Sequence, residues 1–465
     1  MRTAADADCD LVVRGGTVVT AGSSAECDVG ITGGLISQLG GTLRGRSEID
    51  ASGALVLPGG LDMHVHLSQP EPPAESEPGW ADDFASGSAA AIAGGVTTIG
   101  NMTFPWPGQS MRQALDRDRT AAASSLVDYV LHPVLLDASE QRPHEVAALA
   151  ADGHMSLKVF LVGDTFDAQA EQMISAIALA GRHGMLTLLH CEDAALVSFA
   201  GQQLVAAGLG SLDNFAASRP ELAERAAVVR AAAICEATSA PVYIVHLSSR
   251  TALDAARQAR ASGLPVFVET RPLYLYLTSE SLREPGGARY IGAPPLREPD
   301  DVAAIWAGLA DGSVHTIGSD HAPWTLADKL DPAQDVTTAR QGVADLETML
   351  PMLFSEGVLT GRISLPRFAE LTATAPARLF GLYPRKGTIA VGSDADLVVL
   401  DPRLRRTVDG SSMRSRAGYS VYDGREVTGW PRFTVSRGEV VLADGQLVAQ
   451  PGRGQWLRRA STAAL

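Results

Sequence analysis

Short apolar runs alternate with alanine-rich helical stretches through the middle of this 465-residue chain. Eight such runs end near His66, Asn101, Leu131, Phe160, His190, His246, Glu269 and Asp320. Most successive ends are about 30 residues apart, which is the length of one strand-helix unit. This repeat predicts an α/β fold, a (β/α)8 or TIM barrel, rather than an open sheet. The longer interval before His246 would hold an extra helix or loop.

The two ends of the chain have a different pattern. The first 55 residues and the residues from 387 onward consist of short strand-like runs separated by glycine turns, with little helical periodicity. A chain of this length also exceeds the size at which a single core stops growing. We expect a small β-sandwich domain built from both termini, residues 1–55 plus 387–465, beside a barrel domain of residues 56–386.

Composition excludes several classes of partner. Hydrophobic residues make up 46% of the chain and charged residues 20%, as in soluble globular proteins. A net charge of −15 leaves no general basic surface to bind phosphate groups, so we expect neither nucleic acid nor an anionic membrane as a partner. The N-terminus carries acidic residues where a signal peptide would be basic, so we predict a cytoplasmic location. The four cysteines form no C-x-x-C pair, which predicts a packing role.

The segment GGLDMHVHLS places His64 and His66 two residues apart on a predicted strand. Side chains at positions i and i+2 of a strand point to the same face, so both imidazoles converge on one point. A pair of this kind is compatible with a metal site, and equally with an edge strand or a hydrogen-bonded core pair.

Three more polar residues end apolar runs: His190 ends MLTLLH, His246 ends APVYIVH and Asp320 ends VHTIGSD. In a parallel barrel these ends open onto one face, where active sites are built. Any one of these histidines could be a capping or core residue. Burying four imidazoles and a carboxylate together costs several kcal/mol unless a partner binds them. The set therefore predicts a divalent metal site.

Lys158 lies inside the apolar run HMSLKVFLVG, where an unpaired ammonium is costly to bury. One interpretation is a lysine that reaches solvent from a strand end or pairs with Asp320. The other is that its amine has reacted with carbon dioxide to form a carbamate, an anion able to bridge two cations. The second interpretation removes the cost of burial by turning the lysine into a ligand.

Four imidazoles, a carbamate and a carboxylate supply enough donors for two divalent cations with positions left for water. Imidazole combined with carboxylate-type oxygen suits Zn²⁺, while manganese, iron and cobalt stay open by ligand type. Two cations about 3.5 to 4 Å apart hold a hydroxide between them and polarise a carbonyl. Asp320 would take the proton of that hydroxide and deliver it to the leaving nitrogen.

Several other residues have two interpretations each. Glu192, Asp62 and His321 flank proposed ligands and would orient imidazoles, or are ordinary strand-end residues. The proline-rich segment at residues 71–80 is part of a lid or a plain exposed loop. The remaining histidines have no convergent partner and are expected to be structural: His132, His144, His154, His183 and His315.

Taken together, the motifs resemble those of the cyclic amidohydrolases: dihydropyrimidinase, hydantoinase, allantoinase and dihydroorotase. The resemblance extends over nearly the whole chain, through LVLPGGLDMHVHLS, SLKVF, LLHCED, VHLSS, APPLREPDD, GSDHAPW and GTIAVGSDADLVVLDP. In such enzymes His64 and His66 would bind the more buried metal, and Lys158 would be the carbamylated bridge. His190 and His246 would bind the second metal.

The resemblance also implies that Asp320 is both a metal ligand and the general base. Main-chain groups near the APPLR and GVADLE segments would contact the substrate ring, which places Ala293 and Ala344 at the substrate. A homotetramer and a small cyclic amide or ureide substrate are further expectations of the resemblance.

Two positions depart from the family pattern. Hydantoinases and dihydropyrimidinases usually have a tyrosine five residues after the bridging lysine to stabilise the oxyanion, but this chain has Gly163. Dihydroorotases have an arginine where this chain has Ser68. The sequence therefore predicts a metal-dependent hydrolase that opens a hydantoin- or dihydropyrimidine-type ring, with an allantoinase-type ureide hydrolase as the alternative.

Two rival functions belong to other classes. A non-catalytic dihydropyrimidinase-like scaffold would have eroded metal ligands, and all six are present in this chain. A one-metal deaminase on the same barrel would lack the bridging lysine and release ammonia. The number of metal ions bound per chain separates both rivals from a two-metal hydrolase.

Overall fold

The structure is a computed structural model that describes residues 8–71, 79–139 and 143–461. Most of the proline-rich segment at residues 71–80, interpreted above as part of a lid or as an exposed loop, lies outside the described residues, from 72 to 78.

Eight parallel strands form the predicted barrel, and each is hydrogen-bonded to the next in chain order. They are β8 (Gly60–Val65), β9 (Val96–Thr103), β10 (Asp128–Leu135), β11 (Ser156–Phe160), β12 (Leu186–His190), β13 (Val242–Ile244), β14 (Val266–Thr270) and β15 (Thr316–Ile317). The first and last strands meet where Val65 pairs with His321. The backbone N–H of His66 donates to the carbonyl of His321 at 2.8 Å, which closes the ring of strands.

Every residue of β9 and β10 is buried, as expected for strands covered on both faces. Strand β10 continues to Leu135, four residues past the predicted end at Leu131, because the apolar run VLHPVL stays buried throughout. Strand β15 ends at Ile317, so Asp320 lies in the loop that follows rather than on the strand.

Helices follow the barrel strands and cover them. The α-helices are α1 (Phe84–Gly94), α2 (Met111–Ala121), α3 (Val146–Ala151), α4 (Asp164–Ala168), α5 (Ala170–Arg182), α6 (Ala194–Ala206), α7 (Phe215–Ser218), α8 (Glu221–Thr238), α9 (Arg250–Ala261), α10 (Leu273–Tyr276), α11 (Pro299–Asp311), α12 (Leu326–Lys329), α13 (Met349–Leu353), α14 (Leu365–Ala369) and α15 (Ala375–Leu379). The long interval between β12 and β13 holds α6, α7 and α8, so the expected extra helix is present.

Two further sheets form the predicted sandwich. The four-stranded sheet runs in the order β5 (Leu35–Leu39), β4 (Val29–Thr32), β1 (Cys9–Arg14) and β6 (Gly45–Asp50). The seven-stranded sheet runs in the order β19 (Gln446–Leu447), β18 (Glu439–Ala443), β17 (Glu426–Ser436), β16 (Leu397–Thr407), β7 (Leu55–Pro58), β2 (Thr17–Val19) and β3 (Ser24–Glu26).

Both ends of the chain contribute to this sandwich, because C-terminal β16 pairs antiparallel with N-terminal β7. One hydrophobic cluster joins the two sheets and includes Leu11, Ile31, Val56, Leu397 and Val435. Alternating apolar residues on both sheets bury this shared core.

The last described residues leave the sandwich and return to the barrel. The backbone N–H of Tyr129 on β10 donates to the carbonyl of Gln455, and the N–H of Leu457 donates back to Tyr129. The segment assigned to the sandwich domain from sequence therefore also packs on the barrel.

All four cysteines are free thiols, and Cys9, Cys191 and Cys235 are buried. Burial raises the pKa of the Cys191 thiol, so it is not a thiolate nucleophile. Among the described residues, no helix combines the length and the hydropathy that crossing a bilayer requires.

Candidate metal centre

A cavity of about 240 Å³ opens at the carboxyl ends of the barrel strands. Its lining includes all six residues that the sequence selected as metal ligands: His64, His66, Lys158, His190, His246 and Asp320. Five different strands or strand ends supply these residues, so the barrel brings together side chains that are up to 256 positions apart in sequence. This convergence is the geometry that a polynuclear metal site requires.

His64 and His66 converge on one carboxylate. Nε2 of His66 lies 2.8 Å from Oδ1 of Asp320, and Nε2 of His64 lies 3.1 Å from the same oxygen. One ligand atom from each of these three buried residues lies within 4.8 Å of the others, a spacing that suits coordination of one cation.

Glu269 fixes the orientation of the His64 ring. Its Oε1 lies 2.7 Å from His64 Nδ1, so the carboxylate accepts a hydrogen bond from the Nδ1–H. Glu269 also accepts from the backbone N–H of His246 and from the hydroxyl of Tyr243. Burial lowers the pKa of His64, but Asp320 and Glu269 outweigh it and raise that pKa to about 9. A bound metal would take the place of the proton on Nε2, while the hydrogen bond from Nδ1 to Glu269 keeps the ring oriented, as in metal-binding histidines.

His190 is held in the same way. Its Nε2 lies 2.7 Å from Oε2 of Glu192, and Arg219 binds that carboxylate through Nε and Nη2. The ring of His190 lies 4.5 Å, centroid to centroid, from the ring of His246. Burial lowers the pKa of both imidazoles, so both are neutral and able to bind a cation. These two histidines form a second donor pair beside the first.

Lys158 is fully buried on β11, and its Nζ has no hydrogen-bond acceptor among the described residues. The closest favourable contact for its charge is the face of Phe160, with Nζ 4.7 Å from the ring centroid. Burial lowers the pKa of the Lys158 amine to about 8, even though Asp320 and Glu269 act in the opposite direction. The amine is therefore a partly neutral nucleophile surrounded by four imidazoles.

Arg271 contacts the other oxygen of Asp320. Its Nη1 forms an ion pair with Oδ2 at 2.9 Å, although the angle is not that of a hydrogen bond. Burial opposes ionisation of Asp320, but Arg271 and His64 outweigh it and hold the pKa of the Asp320 carboxyl well below its usual range. Asp320 is therefore an anion at neutral pH.

His246 and Asp320 both have left-handed backbone conformations, with φ of 43° and 49°. Residues other than glycine rarely adopt the left-handed conformation, which costs about 1–3 kcal/mol for each residue. The strain lies at the two strand ends that direct these side chains into the cavity, which supports a functional rather than a packing role.

The three flanking residues have different roles. Glu192 orients an imidazole, as described above. Asp62 instead accepts from the backbone N–H groups of His64 and Ser319. His321 lies 2.9 Å from Asp82 through Nε2 and contacts no proposed ligand through its ring. Of these three residues, Glu192 alone contacts the imidazole ring of a proposed ligand.

The candidate substrate contacts occupy different places. Ala293 lines the cavity, whereas Ala344 packs in a hydrophobic cluster. From the GVADLE region and the residue before it, Gln341 and Gly342 line the cavity instead. The two departures from the family pattern also differ: Gly163 is exposed at the rim with open space beside it, and Ser68 is buried, where it donates to Asp118.

Sequence reasoning assigned no role to Glu269 or to Arg271. Both follow the signal that selected the other residues, because the apolar run VFV leads directly into Glu269 and Arg271 at a strand end. Glu269 contacts His64, and Arg271 contacts Asp320. Both partners are distant in sequence, so these contacts become visible only in the folded structure.

The barrel and its polar mouth define an α/β-barrel enzyme. A model of the amidohydrolase family matches residues 55–441, and the chain therefore belongs to that family. It is 37% identical to a D-hydantoinase of Rhizobium radiobacter, over 97% of this chain and 99% of that protein. It is also 37% identical to a D-phenylhydantoinase of Escherichia coli O1:K1, over 97% and 98%. The crystal structure of dihydropyrimidinase from Brevibacillus agri matches with a TM-score of 0.92 at 33% identity, covering 98% of this chain and 99% of that one.

Proposed function

We propose that this chain is a metal-dependent hydrolase that opens the ring of a cyclic amide of the hydantoin or dihydropyrimidine type. The relatives named above are hydantoinases and a dihydropyrimidinase, and each aligns over nearly its full length. The six polar residues at the barrel mouth supply the chemistry that such a reaction needs.

The observation that carries the proposal is Lys158, a fully buried amine that lines the cavity with four imidazoles and has no hydrogen-bond acceptor in the described part of the chain. A cation in that position would be repelled by any metal the histidines bind. Addition of carbon dioxide to the neutral amine forms an N–C bond and releases one proton, and the two oxygens of the resulting carbamate can bind metal. The burial that lowers the pKa of the amine to about 8 favours this reaction.

The donor set fits two divalent cations, most simply Zn²⁺. His64, His66 and Asp320 would hold the first, since their ligand atoms already converge. His190 and His246 would hold the second, and the carbamate on Lys158 would bridge both. The carboxylates behind His64 and His190 fit this assignment, because each bonds only one of the two ring nitrogens, and the other nitrogen of His64 faces Asp320, a proposed ligand of the same metal.

Cations bound there would polarise the scissile carbonyl and lower the pKa of bound water. Asp320 is the proposed general base: its carboxylate accepts the proton of the attacking water and passes it to the ring nitrogen that leaves. Arg271 keeps this carboxylate ionised and in place. Trp80, Phe104 and Phe160 give the cavity an aromatic wall.

A ureide hydrolase of the allantoinase type is the second candidate. The observation in its favour is Gly163, which has φ of 108° and open space where a side chain would lie. The tyrosine hydroxyl expected there in hydantoinases is therefore missing, and allantoinases also lack it. Assembly as a homotetramer stays a prediction from the family resemblance.

The test is a substrate panel. The zinc-loaded enzyme, prepared with bicarbonate, is assayed for ring opening of hydantoin, dihydrouracil, allantoin and dihydroorotate, with metal content measured on the same sample. We expect two metal ions per chain and turnover of hydantoin or dihydrouracil. Turnover of allantoin alone would favour the second candidate. Full metal occupancy without opening of any ring would refute the substrate class, and one metal with release of ammonia would indicate a deaminase.

A further inference from the structure

The chain contains three lysines, and all three side chains are buried: Lys158, Lys329 and Lys386. Lys158 belongs to the candidate metal centre, and Lys386 contacts three carboxylates. Lys329 contacts neither a carboxylate nor a proposed ligand among the described residues. Its position calls for a separate explanation.

Lys329 is the last residue of helix α12, in the long loop after β15. Its Nζ donates to the carbonyls of Ile291 and Arg340, both at 2.6 Å, and to the carbonyl of Gly342 at 3.0 Å. Three acceptors match the three hydrogens of an ammonium group. Burial and the nearby charges of Arg271 and Arg340 lower the pKa of this amine. Hydrogen bonds to three carbonyls act in the opposite direction, because they favour the charged form.

The three carbonyls belong to the two segments that form one side of the cavity. We define Ala293 together with Gln341 and Gly342 as the back wall, since all three line the cavity. Ile291 precedes Ala293 by two residues, and Arg340 and Gly342 flank Gln341. Lys329 therefore connects the two segments of the back wall from behind.

Other contacts fix the same backbone. The N–H of Gly342 donates to the carbonyl of Ile291 at 3.1 Å, and the indole N–H of Trp324 donates to the carbonyl of Gln341 at 2.9 Å. Gly342 has φ of 123°, and a Cβ there would lie 2.5 Å from the carbonyl oxygen of Ala322. The carbonyls at 340, 341 and 342 are thus all bound by side chains of one loop, at a turn whose backbone conformation and close contact require glycine.

We propose that Lys329 is a positioning residue for the substrate ring, acting through the backbone of the back wall. This inference rests on the proposed function, because it assumes that the ring binds in this cavity. Small displacements of binding groups cost up to about 10²-fold in rate, so a loosened wall impairs substrate binding while the metal ligands stay intact. Lys329 touches none of those ligands.

The test compares Lys329→Met with Lys386→Gln, a variant of another buried lysine that lies away from the cavity. For Lys329→Met we expect KM to rise about tenfold or more, with kcat within about threefold of wild type and metal content unchanged. For Lys386→Gln we expect lower thermal stability and an unchanged KM. A KM of Lys329→Met within twofold of wild type, or a loss of kcat and metal without a change in KM, would overturn the inference.

Hydrogen exchange provides a readout that needs no substrate. In Lys329→Met, amides in segments 291–293 and 340–343 should exchange at least about tenfold faster, while those of β16 stay unchanged. If the wild-type enzyme opens no ring, the proposed function fails, and the exchange data still decide whether Lys329 holds the wall.

If Lys329→Met does not fold, Trp324→Phe tests the same back wall, because it removes the hydrogen bond to Gln341 from a partly exposed side chain and keeps an aromatic ring beside Arg340. We expect its KM to rise about threefold at unchanged kcat. An unchanged KM together with unchanged exchange at segment 340–343 would overturn the inference.

Discussion

Lys158 and Lys386 are both completely buried, yet their surroundings are opposite. Lys386 lies between barrel and sandwich, where its Nζ is 2.7 Å from Asp128, 2.9 Å from Asp394 and 2.6 Å from Asp396. Burial would lower the pKa of Lys386, but these carboxylates outweigh it and raise that pKa above the usual range. Lys158 has no such acceptor, and its pKa falls to about 8.

The difference separates a lysine that stabilises the fold from one that is available for chemistry. A buried ammonium with paired carboxylates is satisfied and inert. A buried amine without them is destabilising unless it changes its chemical state, and carbamate formation is such a change. The comparison can be tested by treating the two lysines identically.

The largest effect should come from Lys158→Ala. Without the bridging anion the metal centre is incomplete, and we expect kcat/KM for the ring substrate to fall by about 10³-fold or more. Acetate or propionate should restore part of the activity by entering the space left by the side chain. Lys158→Met, which fills that space, is the matched control and should not respond. Activity within tenfold of wild type in Lys158→Ala would break the comparison.

For the free energy of unfolding we expect the larger effect from replacing Lys386, not Lys158. Lys386→Met removes the cation that Asp128, Asp394 and Asp396 share. Arg437 and Arg385 still pair with Asp128 and Asp394, but the ion pair of the buried Asp396 is lost, and we expect the free energy of unfolding to fall by about 3–5 kcal/mol. Lys158→Met removes an unpaired amine and should change that free energy by less than about 1 kcal/mol, or raise it. Urea denaturation of metal-free protein measures both. Equal losses in the two variants would show that both lysines are structural.

Glu192→Gln tests the candidate metal centre at a carboxylate that holds the proposed ligand His190, and leaves the proposed bridge Lys158 unchanged. The variant weakens the hold on His190, and we expect zinc affinity to fall about 10- to 100-fold. Competition with a chromogenic chelator measures the change. Glu439→Gln, at an exposed ion pair with Arg453, is the control and should bind zinc as wild type does. Unchanged zinc affinity in Glu192→Gln would mean that this carboxylate does not support a ligand.

The smallest effect is a pH dependence. Only the neutral amine adds carbon dioxide, so the initial rate of carbamylation at a fixed concentration of dissolved carbon dioxide should rise about tenfold per pH unit below pH 8 and then level off. For an ordinary lysine, with a pKa of 10.5, this rate would keep rising past pH 10. The measurement is the growth of the ¹³C NMR carbamate signal of metal-free protein after addition of a fixed concentration of dissolved ¹³CO2, with Lys158→Met as the blank. A continued rise above pH 9.5 would contradict the lowered pKa.

Much of the fold and site could be predicted because both depend on position along the chain. Each strand-helix unit contributes one strand end, and in a parallel barrel these ends lie on one face. His64, Lys158 and His190 could therefore be assigned to that face from the sequence. The similar strand-and-turn pattern at the two termini predicted one β domain built from both, although β7, which pairs with β16, extends past the predicted boundary at residue 55.

What could not be predicted depends on distance in space. The contact between Glu269 and His64 joins residues 205 positions apart, and the ion pair of Arg271 with Asp320 depends on a left-handed backbone at the aspartate. The family resemblance placed a substrate contact at Ala344, whereas Gln341 and Gly342 line the cavity in the structure. The order of residues in a loop does not show which of them face the cavity.

The burial of all three lysines also has a practical consequence. A protease that cuts only after lysine finds no accessible site in the described fold, so cleavage must wait for local or global opening. Each cut reports on a different element: the barrel core at 158, the loop behind the cavity at 329 and the junction of the two domains at 386. The order in which fragments form would therefore show which of these parts opens first.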